Sequence, residues 1–397
     1  MKNIIPAARV ENIRYAIREV VGLANEVKAS GKEMTFLNIG DPNIFDFAPP
    51  KHMIEAVHQA MLDNYNGYSP SPGTSEARES IARQAKRSGI KSVHDIIVTH
   101  GASEAIELSL TALLEKGDNV LLPQPGYPLY SSIMAKLDAE VNPYYLNEDD
   151  DWNLDVADIE SRINDRTRAI VVINPNNPTG AIYPKEALLQ IIELARKYDL
   201  VLFSDEIYDK LLFDGGTYTS MGSLCNDVPI VTFNGLSKSY IVPGFRIGWG
   251  IFSGPLDMMK DYIEAVNKMA RARLSASHPV QFAIKAALDG PQDHIKEMID
   301  ALTIRRDMTV NMLNDMDEFD CRVPKGAFYA FPTLNIPDKD EDFVKDLIRE
   351  TGVVTVHGSG FGQKPGTQHI RIVFLPNEKL LERAYEQIRT FVHKRYH

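Results

Sequence analysis

The segment Asn234-Gly-Leu-Ser-Lys-Ser-Tyr240, followed by Pro243-Gly-Phe-Arg246, brings Ser237, Lys238 and Arg246 close together along the chain just after an apolar run. A hydroxyl, an ammonium and a guanidinium together suit a phosphate. A lone lysine is ordinarily a solvated surface residue, so the reading depends on what else reaches the same place. In Val201-Leu-Phe-Ser-Asp205-Glu-Ile-Tyr208 an acid follows a second apolar run, and ligands of open α/β sheets bind beyond the carboxyl ends of the strands. Taken singly, Asp205 could equally cap a helix and Tyr208 could simply pack. One strand-and-loop excursion separates Asp205 from Lys238, so both can return to one sheet edge and meet one small aromatic ligand. Thr99-His-Gly101-Ala-Ser-Glu104 joins a strand-like run to an apolar helix. Its small residues Gly101, Ala102 and Ser103 expose backbone N–H groups at a helix N-terminus, where a phosphate can sit. Asn174-Pro-Asn-Asn177-Pro-Thr-Gly180 is too dense in turn formers to extend the strand before it. Pro123-Gln-Pro-Gly-Tyr127-Pro offers an aromatic ring at another strand end. Each of these loops, seen alone, is an ordinary connection; their recurrence after successive strands is the signal.

The elements that must position these residues follow from hydrophobic periodicity. From Glu11 to Ser30 the apolar positions Ile13, Ile17, Val20, Val21, Ala24 and Val27 recur at helical spacing, and Gly31 supplies the stop. Short apolar runs at Asp95–Thr99, Asn119–Leu122, Ala169–Ile173, Leu200–Ser204 and Ile230–Asn234 are separated mostly by helix-length segments. That alternation predicts a mostly parallel α/β sheet. A helical region from about Pro255 to Met316 gives way to strand, turn and helix units at Gly326–Phe331, Glu341–Glu350, Val353–Val356 and His369–Phe374, which read as a smaller α/β lobe. The acidic run Asn147–Asp151 reads as a solvated turn.

The bulk numbers bound the possible partners. With 397 residues, 44% hydrophobic and 24% charged, the chain can bury a large core and exceeds the usual size of one domain. A net charge of -11 argues against nucleic acid or an anionic membrane as a general partner, because both need a cationic face. Cys225 and Cys321 form neither a CxxC nor a Cys/His cluster, so no metal site is expected and a reducing cytoplasm fits. The first residues lack a signal-peptide core, and no run approaches the ~18 apolar residues that span a bilayer. A soluble, unprocessed protein is the expectation.

Taken in this order, the segments resemble fold-type I pyridoxal-phosphate aminotransferases of class I over nearly the whole chain. Within that class, Asn38-Ile-Gly-Asp-Pro42, Asn174–Gly180, Asp205–Asp209, Asn234–Lys238, Gly326-Ala-Phe-Tyr329 and His357-Gly-Ser-Gly-Phe361 are similar to those of alanine aminotransferases that use glutamate and pyruvate. The resemblance implies a PLP-dependent transferase fold with a mostly parallel seven-stranded sheet in a large domain over 46–290. A smaller α/β domain over 291–397 would be joined by an N-terminal segment, 1–45. It further implies pyridoxal 5'-phosphate as cofactor, an amino acid and a 2-oxo acid as substrates, and a homodimer with shared active sites.

The roles carried over by the resemblance make chemical sense one at a time. Lys238 would hold the cofactor's aldehyde carbon and afterwards serve as the proton-shuttling base. Asp205 would pair with the pyridine nitrogen. Asn177 and Tyr208 would bond the ring's phenolic oxygen, and Tyr127 would stack on the ring. The phosphate would meet Gly101, Ala102, Ser103, Ser237 and Arg246, with Tyr68 arriving from the partner chain. Arg371 would take the substrate's α-carboxylate bidentately, beside Gly40 and Asn177. For a distal carboxylate Arg18 is preferred over Arg271 and Arg273. Many relatives carry a serine three positions before the lysine, where this chain has Gly235; that departure removes one contact and should weaken cofactor binding slightly. The Asn177-Pro178 bond is expected to be cis.

Other readings stay open at this stage. Aspartate or an aromatic amino acid could be the donor, and a lyase, decarboxylase or racemase of the same fold would use the same cofactor residues. A regulatory protein that binds cofactor without turnover would need an added DNA-binding module, for which only some 40 residues precede Gly40. A plain nucleotide-binding protein lacks both a GxGxxG after the first strand and a Walker-type loop.

Overall fold

Up to the long helical stretch, the strands in chain order are β1 Thr35–Phe36, β2 Val93–His100, β3 Asn119–Gln124, β4 Glu140–Asn147, β5 Asn153–Leu154, β6 Thr167–Ile173, β7 Val201–Asp205, β8 Ile230–Gly235 and β9 Ile247–Ser253. The structure is a computed structural model and describes residues 3–13 and 16–397, without the side chains of residues 18 and 19. Among the described residues the largest sheet has eight strands in the order β2-β9-β8-β7-β6-β3-β4-β5. Strands β4, β3, β6, β7 and β8 run parallel, while β9 is antiparallel to both of its neighbours. The expected seven strands are therefore joined by an eighth, the two-residue β5, which pairs antiparallel with β4 at the sheet edge. A strand that short has no hydrophobic period of its own, which is why its sequence does not announce it.

Continuous apolar runs such as Ala169–Ile173 suit strands covered on both faces. Successive residues of β6 alternate between two cores: Ala169, Val171 and Ile173 lie on one side and Ile170 and Val172 on the other. The same alternation sends Ile97 to the first face and Ile96 and Val98 to a third cluster, built with the helices α2 Lys51–Leu62 and α3 Ser75–Arg87.

The antiparallel course of β9 matters for function. Register pairs His100 with Ile247 and Gly235 with Gly248, so the start of β9 lies at the edge where β2 and β8 end. Arg246 therefore shares one sheet edge with the residues that follow the parallel strands.

The C-terminal part contributes β10 Phe319–Asp320, β11 Tyr329–Ala330, β12 Thr333–Leu334, β13 Val353–Val354, β14 Val356–His357 and β15 Ile370–Val373. Strand β15 lies between β11 and β14, antiparallel to both. The N-terminal segment joins this part: β1 pairs with β13, Thr35 opposite Val353. Arg305, on the helix Asp293–Asn314, grips Asp46 through two nitrogens and Glu378 through the third.

The opening helix, α1, spans Ala16–Ala29 rather than starting near Glu11. A separate 3-10 turn, Ala8–Asn12, ends at Ile13, whose ψ of 111° is extended and breaks the helical path. Gly31 has φ +91°, as a stop glycine should. Among the described residues no helix is long and apolar enough to cross a membrane, and no group of three His, Cys, Asp or Glu side chains could hold a metal.

Candidate active site

A cavity of about 470 Å³ lies at the shared sheet edge and is closed on its other side by β11, β15 and the segment around Gly40. Each loop singled out above delivers a side chain or backbone to it. Helix α4, Ala102–Leu113, presents Ala102 and Ser103; the loop after β3 presents Tyr127; that after β6, Asn177; β7 and its loop, Asp205 and Tyr208; and the loop after β8, Ser237 and Lys238. Arg246 stands exposed at its rim, in a left-handed conformation with φ 51°.

The phosphate-like corner is a cradle made by glycines. Gly101 has φ +72° and gives α4 no side-chain cap, so the first amides of the helix keep their donors for something else. A Cβ on Gly101 would run into the Arg246 guanidinium, and one on Gly248 would overlap the amide of Ala102. The guanidinium is steadied by the carbonyls of Pro243 and His100, at 3.2 and 3.5 Å.

Along the sheet edge two ionisable groups are perturbed in opposite senses. Burial raises Asp205 to about 6, against hydrogen bonds from the Tyr130 hydroxyl (3.0 Å) and the Ile207 amide (3.4 Å) that favour the carboxylate. Burial, and then the positive field of Arg371, lowers Lys238 to about 8. The Lys238 ammonium donates to the Gly40 carbonyl at 2.8 Å. An acid and an amine shifted toward neutrality in one cleft mark a site rather than a surface.

The opposite wall centres on Arg371, 1% exposed, on β15. Its Nη1 donates to Asn177 Oδ1 at 3.2 Å and Nη2 to the Asn38 carbonyl at 2.5 Å, while the rings of Tyr329 and Phe361 lie 4.6 and 4.7 Å from the guanidinium carbon. The fully buried Asn38 amide has neither its nitrogen nor its oxygen paired among the described residues. A buried guanidinium between two aromatic rings, facing a cavity, is built for a planar anion.

Several expectations need correction. Among the described residues the cis proline bonds are Gln124-Pro125 and Asn174-Pro175, not Asn177-Pro178; the two Asn-Pro pairs are the same dipeptide, so nothing local separates them. The acidic run Asn147–Asp151 is not wholly solvated. Glu148 turns inward to the Thr333 hydroxyl and to His369 Nε2, which lies 3.2 Å away. Arg271 is exposed and paired with Glu264, and Arg273 is held by Glu104 and the Val98 carbonyl, so neither lines the cavity. Arg18 falls in α1, but its side chain lies outside the described residues. Tyr68 is 82% exposed and away from the cavity of its own chain. At Gly235 a Cβ would approach the Ile247 carbonyl at 2.8 Å and Gly248 Cα at 3.0 Å, which gives the departure a steric reason.

Sequence reasoning gave no site role to Ile17, to Asp41 and Tyr329, which it quoted only within the motifs of the resemblance, or to the apolar lining from Ile39, Ile106, Ile173 and Ile207. Tyr130, which bonds Asp205, was missed as well; its one signal is its place on the first turn after Tyr127, among residues that otherwise read as core.

The family described as Aminotransferase class I and II matches residues 32–388. The glutamate-pyruvate aminotransferase AlaA of Haemophilus influenzae is 39% identical over 394 residues, spanning 97% of each chain. The alanine aminotransferase of Mycobacterium tuberculosis is 38% identical over 397 residues, 97% of this chain and 92% of that one. The solved structure of the alanine aminotransferase from Pyrococcus furiosus is similar with a TM-score of 0.95 at 40% identity, covering 98% of this chain and 100% of the other.

Proposed function

The chain belongs to the class I and II aminotransferase family, and from that membership we propose that it uses pyridoxal 5'-phosphate on Lys238 to exchange an amino group between alanine or glutamate and pyruvate or 2-oxoglutarate. The observation that carries the reading is a single cavity walled by a half-buried amine lowered to about 8, a buried carboxylate and a buried arginine.

The residues fit that cofactor by their donor chemistry. The uncapped amides of α4, the hydroxyls of Ser103 and Ser237 and the rim guanidinium of Arg246 suit a phosphate. Gly101 supports that corner by leaving the guanidinium room. Tyr127 offers a ring for stacking, Asp205 a carboxylate for a protonated ring nitrogen, and Asn177 and Tyr208 polar groups for a ring oxygen. When bound, the cofactor supplies an electrophilic carbon and a ring that accepts electrons from the substrate's Cα.

The chain's own part is to bind, orient and move a proton. Lys238, close to half neutral near pH 8, can take a proton at Nζ and return it to a neighbouring carbon, as a base of near-matched strength does best. Arg371 and Asn177, beside Gly40, fix the α-carboxylate and so orient the Cα–H bond. Arg18 is the candidate cation for glutamate's distal carboxylate. In this reading the protein is a cytoplasmic homodimer, and the exposed Tyr68 of each chain completes the phosphate site of the other. The chain divides into an N-terminal segment 1–45, a large domain 46–290 and a small domain 291–397. Supporting the division, 1–45 contains β1, which pairs with β13.

The function is tested by a panel of amino donors against pyruvate and 2-oxoglutarate with the cofactor-loaded protein. Alanine with 2-oxoglutarate, and glutamate with pyruvate, are expected to be the best pairs. Preference for aspartate or an aromatic donor would move the chain to another specificity, and release of ammonia or carbon dioxide in place of a stoichiometric oxo acid would make it a lyase or decarboxylase.

A further inference from the structure

Tyr329 touches three of the groups that wall the cavity. Its hydroxyl lies 2.8 Å from that of Tyr208, and its ring lies under Arg371, 4.6 Å from the guanidinium carbon. A Cβ on Gly40, whose carbonyl holds Lys238, would overlap the Tyr329 hydroxyl. The side chain is 2% exposed and stands edge-on to Tyr208, with an interplanar angle of 85°.

A pair of phenols shares one proton between its two oxygens, so one donates and the other accepts. Arg371 lies 4.6 Å from the Tyr329 ring, against 6.0 Å for Lys238 from the Tyr208 ring, so the nearer charge stabilises negative charge on the Tyr329 oxygen more and makes Tyr329 the better donor. Burial holds the Tyr208 phenol well above its usual range, so Tyr208 keeps its own proton. If Tyr329 donates, the Tyr208 proton is left to point elsewhere, and Tyr208 lines the cavity.

We propose that Tyr329 is a positioning residue: it donates its O–H to Tyr208 Oη, which aims the Tyr208 proton at the cofactor's ring oxygen, while its ring sets the tilt of Arg371. The inference rests on the cofactor reading above. It separates two effects in one side chain, since the hydroxyl acts on the cofactor through Tyr208 and the ring acts on the substrate carboxylate through Arg371.

The experiment is a pH titration of the visible absorbance of the cofactor-loaded protein, together with steady-state kinetics, for wild type, Tyr329→Phe, Tyr329→Leu, Tyr208→Phe and the Tyr208→Phe/Tyr329→Phe double variant. Tyr329→Phe should move the absorbance midpoint up by about half to one pH unit, the size expected of one hydrogen bond. It should lower kcat several-fold and leave KM for the amino donor within about twofold, because the ring under Arg371 remains. Tyr329→Leu should in addition raise that KM by about fivefold or more. In the Tyr208→Phe background, Tyr329→Phe should shift the midpoint no further. An unchanged midpoint in Tyr329→Phe, or the same shift with Tyr208 already removed, overturns the inference and leaves the cofactor reading standing. A wild-type protein that shows no visible band overturns the cofactor reading and the inference with it.

Discussion

On one side of the cavity the functional groups stand at the ends of strands β2, β3, β6, β7 and β8 and at the start of β9, in loops fixed by the register of one sheet. On the other side Arg371 and Tyr329 sit on short strands whose neighbours come from the N-terminal segment and from the loop that carries Phe361. The first wall holds the perturbed acid and base, Asp205 and Lys238, and the anion cradle. The second holds a buried cation between aromatic rings. In the proposed function, bond making and breaking fall to the sheet edge, and the cation for the substrate's α-carboxylate comes from the opposite wall.

The largest effect that could break this division is expected at Lys238. Lys238→Ala should lower kcat by about a thousandfold or more, since it removes both the attachment point and the proton carrier. Cofactor affinity, measured by fluorescence titration, should fall far less, because the phosphate corner is untouched. Near wild-type turnover in that variant would remove the sheet edge from the chemistry.

Arg371→Leu tests the other wall. A charge-assisted pair with a carboxylate contributes enough that kcat/KM for alanine should fall by about a hundredfold. Most of that loss should lie in KM, and the absorbance of the bound cofactor should keep its intensity. A loss confined to kcat would mean that the two walls share the chemistry.

The smallest effect concerns Glu206, next to Asp205 but turned away from the cavity. It accepts from the Ser204 and Ser220 hydroxyls and the Met221 amide. Burial raises it from 4.5 to about 8. In the unfolded chain it ionises near 4.5, so its contribution is fully present below that pH and is lost as pH rises toward 8, because unfolding then releases a proton. Glu206→Gln keeps the acceptor oxygen and removes the titration. Its melting temperature should match wild type at pH 4.5 and exceed it by about 1–3 °C at pH 9, with kcat unchanged. A pH-independent difference would place Glu206 outside this account.

The same contrast explains what could be read from the sequence. The sheet edge was legible because each strand there is a buried apolar run followed at once by turn formers and a polar residue: Ile173 before Asn174, Ser204 before Asp205, Phe233 before Asn234. Chain order alone sends those residues to one edge. Nothing local marks Arg371, an arginine in Ile-Arg-Ile-Val, as more than an exposed residue of an edge strand. Its burial depends on Asn38, Tyr329 and Phe361, which approach from three separate segments, so it was reached only through the resemblance. Tyr329 and Tyr130 were given no site role for a similar reason: an aromatic in an apolar run is ordinarily core, and their hydroxyl partners Tyr208 and Asp205 are long-range. Glu148 was assigned to a solvated turn because its neighbours are acidic, while its partner His369 lies more than half the chain away.

The central claim is that Lys238 is the cofactor's point of attachment. Borohydride reduction of the protein incubated with pyridoxal 5'-phosphate, followed by peptide mass mapping, tests it directly. The account predicts one pyridoxyl adduct per chain, on Lys238, that is absent from Lys238→Ala. No adduct under saturating cofactor, or an adduct on another lysine that persists in the variant, would contradict it.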